Sequence, residues 1–536
     1  MGDVKTFEKI CRAMADPAFY PHPVFGLERR DTHISAVFLT GNWVYKLKKP
    51  FNFGFLDYTG LDTRRGMCER EVALNQRLSN GIYEGVVAIR RNGEGFHLGA
   101  RGDVAEYAVK MKQLLDGASL ANLLTSGGVG HEEMVRLGRR LGEFYCRSER
   151  NAEIDGYGRA DVISFNAEEN FRQVAPFVGR LIRKDPLDFI AEAGRGFFRD
   201  CRRLFERRIE EGRICDGHGD LRAEHVYFVD QVQIIDCIEF NDRFRYGDAA
   251  SDLAFLHMDM ERLGRSDLSL SVLSGYIEAT RDFGLFTVLD FYSCYRAVVK
   301  LKVSCLTWTE LEEGARKKEM KARAAQYLDL ALRYAVQFSR PTIWVLCGLP
   351  GTGKSTLAEM VRKTLGIPLL RSDEARRELP EYRPHSGPAP LGTGIYKPEL
   401  RGRVYAHLLG LAQEELKKGR SVILDATFSR LKWREEAVRL AGDLDANIVF
   451  FECACSEHIM RERLGRRKTG ESGMSDARPE HLAGLSEQFE EIDELPPEIY
   501  ARIDTEKDGP EEIFGNILAK AYAMRRAQVG RVMERL

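Results

Sequence analysis

Residues 348–355 read Gly-Leu-Pro-Gly-Thr-Gly-Lys-Ser, a G-x-x-x-x-G-K-S pattern entered from the apolar run 342–347 and left through the helix-forming Leu357, Ala358, Glu359 and Met360. Glycines at 348, 351 and 353 let the backbone curl so that successive N–H groups point inward at phosphate oxygens. The start of the following helix adds the positive end of its dipole. Lys354 then reaches the β- and γ-phosphates, Ser355 meets a Mg²⁺ ion, and Thr356 completes the cofactor-binding run, which makes ATP- or GTP-using phosphate chemistry the default. Asp425 ends a second apolar run, where a carboxylate can hold the metal directly or through water; a cap or turn is the competing role. Asp373 and Arg376 form D-x-x-R at the end of the strand after the loop helix. The carboxylate can take the proton of an acceptor hydroxyl, and the arginine one turn later can clamp a phosphate. The competing reading is a capping Asp with an i,i+3 ion pair. Arg461, Arg463, Arg466 and Arg467 follow a further strand and suit a lid over the transferring phosphoryl group, or else a solvated basic helix face.

A second set stands far upstream. The polar loop 218–226, with Asp220 at its centre, is followed by the apolar run 232–235, which ends at Asp236. That is the order of a catalytic base and a metal-holding carboxylate in protein-kinase-like folds. Lys46 is the inward lysine of the alternating strand 43–47, and Glu71 sits in the helical run 69–78, a pairing that orients nucleotide phosphates. A strand lysine is usually a solvated edge and a helix glutamate is usually exposed, so the reading rests on all four in the right order.

The elements that must position these groups follow from punctuation and pattern. The P-loop begins after residue 340 of 536, which leaves room for a large preceding domain. A helical pattern through 317–338 is interrupted at Ser339-Arg340-Pro341. This sets domains at 1–335 and 342–536, with a linker at 336–341. Downstream, runs at 368–373, 421–425 and 447–453 alternate with helical patterns, which implies a parallel sheet with ligands at the strand C-terminal ends. The fold class expected is an α+β protein-kinase-like domain followed by an α/β P-loop domain. The stretches 380–394 and 465–479 are candidate mobile elements. The aromatic run 51–58 reads as packing, and the basic helix at 519–536 reads as cover for the sheet.

Composition is that of an ordinary globular chain, 44% hydrophobic and 30% charged, with formal net charge −1, so total charge calls for neither nucleic acid nor membrane. The 11 cysteines show no C-x-x-C spacing, and the chain has neither a membrane-length apolar run nor a signal-peptide order. A cytoplasmic location is expected.

The motifs GLPGTGKST, SDEARRE, VILDATF and RERLGRR resemble the P-loop kinase group that includes polynucleotide 5′-hydroxyl kinases and zeta-toxin-like kinases, over about 341–510. That resemblance implies Lys354 and Ser355 on ATP and Mg²⁺, Asp373 as base, Arg376 on the acceptor side, and Arg466 or Arg467 as the lid arginine. The earlier part resembles the aminoglycoside phosphotransferase family over about 30–310, through HGDL and IDCIEF. It implies Asp220 as general base, Asp236 as Mg²⁺ ligand, Lys46 and Glu71 as the nucleotide-orienting pair, an adenine-holding hinge at 109–114, and Asp252 as support for the catalytic loop. The order of the halves is that of proteins termed bifunctional aminoglycoside phosphotransferase/ATP-binding protein.

Two departures matter. His225 stands five residues after Asp220, where the family pattern has Asn, and imidazole is a poor ligand for Mg²⁺. Either the metal site is rebuilt, with His225 or Glu239 and Mg²⁺ or Mn²⁺, or this half binds nucleotide without fast transfer. There is also no G-x-G-x-x-G loop, only Gly41 near the turn. An aminoglycoside pocket should collect carboxylates, whereas 316–323 is basic. The expected cofactors are ATP and Mg²⁺. The expected acceptor is a hydroxyl on a small molecule or polynucleotide, with nucleic acid not required and no membrane involved.

Overall fold

The computed structural model describes residues 2–52, 54, 56–93, 95–380, 398–466 and 478–533. The chain forms two compact units, residues 1–163 with 208–280 and residues 164–207 with 281–536. Among the described residues, no helix is long and apolar enough to cross a membrane. The expected mobile stretches 380–394 and 465–479 lie almost wholly outside the described residues, as do Phe53 and Phe55 of the aromatic run.

The first unit is built on six strands: β1 (Glu28–Asp31), β2 (Ser35–Leu39), β3 (Trp43–Lys48), β4 (Tyr83–Asn92), β5 (Gly95–Leu98) and β6 (Asp103–Lys112). They form an antiparallel sheet in the order β1-β2-β3-β6-β4-β5. Both faces of β3 are covered, so apolar and charged residues alternate within the protein. Tyr45 and Leu47 pack with Phe7 and Ile10 from the helix Gly2–Ala13 and with Met14 just after it, while Val44 joins Cys68 from the helix Leu61–Asn75 on the other face. Period-2 alternation therefore sends Lys46 and Lys48 to the face of that helix. The same unit holds β7 (Ile214–Asp216), β8 (Val226–Phe228), β9 (Val232–Ile234) and β10 (Tyr246–Asp248), short antiparallel pieces that frame two polar loops.

The second unit contains a five-stranded sheet of β11 (Thr342–Cys347), β12 (Leu369–Arg371), β13 (Val422–Asp425), β14 (Asn447–Ala454) and β15 (Tyr500–Asp504). All pairings are parallel, in the order β12-β13-β11-β14-β15. The parallel sheet is as the alternating pattern implied; β15 is an addition to it. Burial on both faces explains the continuous apolar runs of β11 and β13. The helix Pro510–Met533 buries Ile517, Leu518, Ala521 and Tyr522, and Gln528 on it bonds the backbone of Ile448 in β14. The helix Ala315–Ser339 runs to within two residues of β11.

In this unit a buried polar knot joins three helices. Asp290 on Leu285–Glu310 faces Tyr522 and Arg525, the latter at 4.0 Å, with Tyr334 beside them. Burial pushes the Asp290 carboxyl up to about 6, against the pull of Arg525. Between about pH 4 and pH 6 the folded chain therefore holds a proton that the unfolded chain releases, so stability falls as pH rises through that window and stays lower above it. Asp290→Asn removes this titration. The stability difference between variant and wild type should shift by about 2 kcal/mol in the variant's favour from pH 4 to pH 7, read by denaturant unfolding at each pH.

Candidate functional site

At the end of β11 the chain turns on Gly348 with φ 123°, and a Cβ there would lie 2.4 Å from the Cys453 carbonyl oxygen. Only glycine fits that approach. The loop that follows, with Gly351 and Gly353 also at positive φ, is tied down from several sides. Gly348 N–H donates to the Thr427 carbonyl at 3.2 Å, the Thr352 hydroxyl donates to the Leu349 carbonyl at 2.8 Å, and the Thr505 hydroxyl donates to the Thr352 carbonyl at 2.7 Å. Gly353 caps the helix Lys354–Leu365, so Lys354, Ser355 and Thr356 form its first turn, at the helix end whose dipole favours an anion.

A cavity of about 840 Å³ opens over this turn and is lined together by Lys354, Ser355, Asp373, Arg376, Asp425 and Arg463. The parallel register sets Asp425 beside Leu346, two residues before Gly348. Burial raises the Asp425 carboxyl, opposed by Lys354 and the Ser355 hydroxyl and reinforced by Asp373. A hydroxyl and a carboxylate side by side are the oxygen donors Mg²⁺ prefers, so the residues present fit that ion. Among the described residues no cluster of three or more His, Cys, Asp or Glu is set to hold a metal alone. A metal here would complete its shell from phosphate and water.

Asp373 lies in the first turn of the helix Ser372–Glu378 rather than at the strand end, and Arg376 Nη1 donates to Asp373 Oδ1 at 2.7 Å. The i,i+3 pair and the cavity wall are thus the same two residues. Among the described arginines of the cluster, Arg463 is the one on the cavity. Its guanidinium donates to the Thr505 carbonyl at 2.7 Å, to the Thr505 hydroxyl at 3.2 Å and to the Gly351 carbonyl at 3.4 Å. Arg466 is 79% exposed and pairs with Glu462, Arg461 pairs with Glu457 on the surface, and Arg467 lies outside the described residues. Arg463 lies in the last turn of Glu457–Gly465, and the cluster as a whole was the only sequence signal for it. Thr505, just past an edge strand, belongs to no motif.

In the first unit Lys46 Nζ lies 2.9 Å from Glu71 Oε1 and 2.5 Å from Asp236 Oδ1. Lys48, fully buried, bridges Glu71 and Glu239, and Tyr58 donates to Glu239 at 3.0 Å. Burial works against each charge in this chain, and each partner restores it: both lysines are raised and the Glu71 carboxyl is lowered. Lys48 was legible from the alternation that marked Lys46, because residues two apart share a face. Glu239 is therefore engaged by a lysine and a phenol.

Asp236 takes φ +65°, and although burial would raise its carboxyl, Lys46 and His225 hold it far below the ordinary range. Asp252, on the helix Ala249–Arg262, accepts from the backbone N–H of His218 at 2.7 Å and of Gly219 at 2.9 Å, fixing the loop that carries Asp220. Arg222 grips Asp220 with two bonds, Nε to Oδ1 at 3.0 Å and Nη2 to Oδ2 at 2.9 Å. His225 donates from Nδ1 to the Asp220 carbonyl at 2.9 Å and accepts at Nε2 from Arg222 Nη2 at 3.1 Å. Burial, then Arg222, lowers its pKa to about 4, so the ring is neutral near pH 7. Beyond Val109, the hinge segment leaves β6 at Gln113, whose N–H donates to the Asn42 carbonyl at 2.9 Å.

A sheet with a Lys–Glu pair ahead of two aspartate loops is a protein-kinase-like fold, and a parallel sheet with a glycine loop at its central strand is a P-loop fold. A family model described as an AAA domain matches residues 343–492. An uncharacterized protein of Mycobacterium tuberculosis is 34% identical over 470 residues, covering 87% of this chain and 91% of its own, and one of Mycobacterium bovis matches to the same extent. The chain belongs to the family of these mycobacterial proteins, and it joins the two folds in the order of the bifunctional aminoglycoside phosphotransferase/ATP-binding proteins. Among solved structures, a choline/ethanolamine kinase family protein from Mesorhizobium loti covers 60% of this chain and 99% of its own at 11% identity and TM-score 0.35. A putative kinase from Chloroflexus aurantiacus covers 33% and 97% at 21% identity and TM-score 0.27.

Arg463 braces the phosphate loop through one bond to Gly351 and two to Thr505, whose hydroxyl bonds Thr352, and charge-assisted bonds are worth about 1.5–3 kcal/mol each. Arg463→Met should weaken ATP binding about tenfold by calorimetry, while Arg466→Met should leave it within about twofold.

Proposed function

We propose that the second unit transfers the γ-phosphoryl group of ATP to a hydroxyl acceptor. The observation that carries this reading is the single cavity on which a phosphate-cradling loop, a metal-suited pair (Ser355 and Asp425) and a carboxylate–arginine pair (Asp373 and Arg376) converge. Lys354 and the backbone N–H groups of the loop bind the β- and γ-phosphates, and Ser355 and Asp425 hold Mg²⁺. When bound, Mg²⁺ neutralises charge on the phosphate oxygens. Asp373 accepts the acceptor proton as the hydroxyl oxygen bonds to the γ-phosphorus, and the bond to the β–γ bridging oxygen breaks, so that ADP leaves. Arg376, exchanging Asp373 for the acceptor or the γ-phosphoryl oxygens, and Arg463 beside the loop stabilise the transferring group. Burial around Asp425 and Lys354 keeps these interactions in low dielectric, where they act most strongly. The first unit is a second phosphotransferase or a regulator that responds to nucleotide.

The test is transfer of label from γ-labelled ATP, offered a 5′-hydroxyl oligonucleotide beside a small-metabolite extract. Lys354→Ala should abolish transfer by the second unit, and any label that survives it belongs to the first. Asp373→Asn should lower kcat by about 10²–10⁴ with the ATP KM within a few-fold of wild type. Label on the oligonucleotide identifies a polynucleotide 5′-hydroxyl kinase, and label on a metabolite identifies a small-molecule kinase. Asp373→Asn turning over ATP at the wild-type rate would sink the proposal and leave an ATP-gated binding protein.

A further inference from the structure

The residues that would hold a divalent metal in the first unit do not fit one. In kinase-like sites the ion sits between a strand-end carboxylate and an amide oxygen of the catalytic loop, and Mg²⁺ asks for near-octahedral oxygen at about 2.0–2.1 Å. Here the loop position is His225, whose two ring nitrogens are both engaged, one by the Asp220 carbonyl and the other by Arg222. Both oxygens of Asp220 receive the fork of the same guanidinium, at 3.0 and 2.9 Å. Asp236 gives Oδ1 to Lys46 at 2.5 Å, and its Oδ2 stands 3.5 Å from His225 Nε2. Arg222 also pairs with Glu224 and lies in the field of Asp236. Two permanent cations, Arg222 and Lys46, therefore stand where the ion's charge would be.

The arrangement is specific. A guanidinium is planar, keeps its charge at any physiological pH and matches oxyanions two bonds at a time. Arg222 meets a carboxylate with two nitrogens, and one of these also reaches the imidazole, so its plane is fixed before any ligand arrives. Its fork holds both oxygens of Asp220, so Asp220 could serve as a base only if that grip were released. Lys46 is oriented in turn by Glu71, which Lys48 holds from the far side. Arg222 is held by Asp220 and Glu224, and Lys46 by Glu71 and Asp236, so a polyphosphate would enter by taking the place of these carboxylates on the two cations, without the bridging ion on which phosphoryl transfer depends.

We propose that the first unit binds a nucleoside polyphosphate without a divalent metal, with Arg222 and Lys46 supplying the charge, and does not transfer its phosphoryl group. The unit then acts as a nucleotide sensor, and of the two roles left open for it, the regulatory one follows.

The experiment uses the full chain carrying Lys354→Ala, so that the P-loop site is disabled, and titrates ATP by calorimetry in Mg²⁺ and in EDTA. One site should remain, with affinity within about twofold in the two buffers, and adding Arg222→Ala or Lys46→Gln should weaken it at least about tenfold. The double change Arg222→Ala with His225→Asn restores an oxygen donor and clears the guanidinium. ATP binding should then return in Mg²⁺ and fall about tenfold or more in EDTA, with one Mn²⁺ per site by electron paramagnetic resonance in place of none. A site in the Lys354→Ala chain that vanishes in EDTA, one indifferent to both Arg222→Ala and Lys46→Gln, or no site at all would overturn the proposal. Because the P-loop lysine is absent throughout, these outcomes are independent of whether the second unit transfers phosphate.

Discussion

Strand register is the constraint on which both sites depend. Side chains alternate across a strand, so a slip of one residue would move every charged group to the opposite face. In the second unit the pairing of Leu346 with Asp425 sets a carboxylate beside the phosphate loop, and the pairing of Cys347 with Glu452 brings β14 close enough that its Cys453 carbonyl excludes any side chain at 348. In the first unit the pairing of Lys46 with Val109 and with Val37 sends two lysines to one face. Each would cost several kcal/mol if buried unpaired, so the glutamates that meet them are requirements of the fold as much as parts of a site.

The two sites apply one electrostatic problem in different ways. Over the P-loop, positive charge comes from backbone N–H groups, a helix start and Lys354; Asp373 is paired with Arg376, while Asp425 faces the cavity with Arg371 at 3.8 Å. In the first unit every carboxylate near the expected centre is already held by a lysine, an arginine or a phenol. The contrast separates a site whose strand-end acid, Asp425, has no close cation among the described residues from one whose strand-end acid, Asp236, already holds Lys46.

Much of this was legible in the residues. The strand, glycine loop and helix around Lys354 announce themselves because each step is locally determined: an apolar run, positive φ at glycine and a helix start. Asp425 was readable for the same reason, as the polar residue that ends a buried strand. The HGD loop and Asp236 were readable as an ordered pair. What the residues could not give is what arrives from elsewhere in the chain. Thr505 reaches the loop from the end of β15, whose polar run Tyr500–Asp504 lacks the signature of a buried strand. Asp373 looked like a strand end because an apolar run leads into it, yet Ser372 and Asp373 favour a helix start and the helix claims them. Arg463 was visible within a cluster, but only helix phase separates it from Arg466, and phase depends on where the helix begins. The grip of Arg222 on Asp220 lay in plain view two residues away and carries no motif.

The two units are interleaved along the chain, 164–207 belonging with 281–536 and 208–280 with 1–163. During synthesis the first unit is incomplete until residue 280 has emerged, and residues 164–207 must wait for partners that follow it. Neither can fold as an uninterrupted stretch behind the ribosome. The segment 164–207, with Phe197 stacked on Phe291 at 4.9 Å in the finished unit, spends that interval with apolar surface uncovered. Biogenesis, more than the native state, is then where this architecture leaves apolar surface open to aggregation.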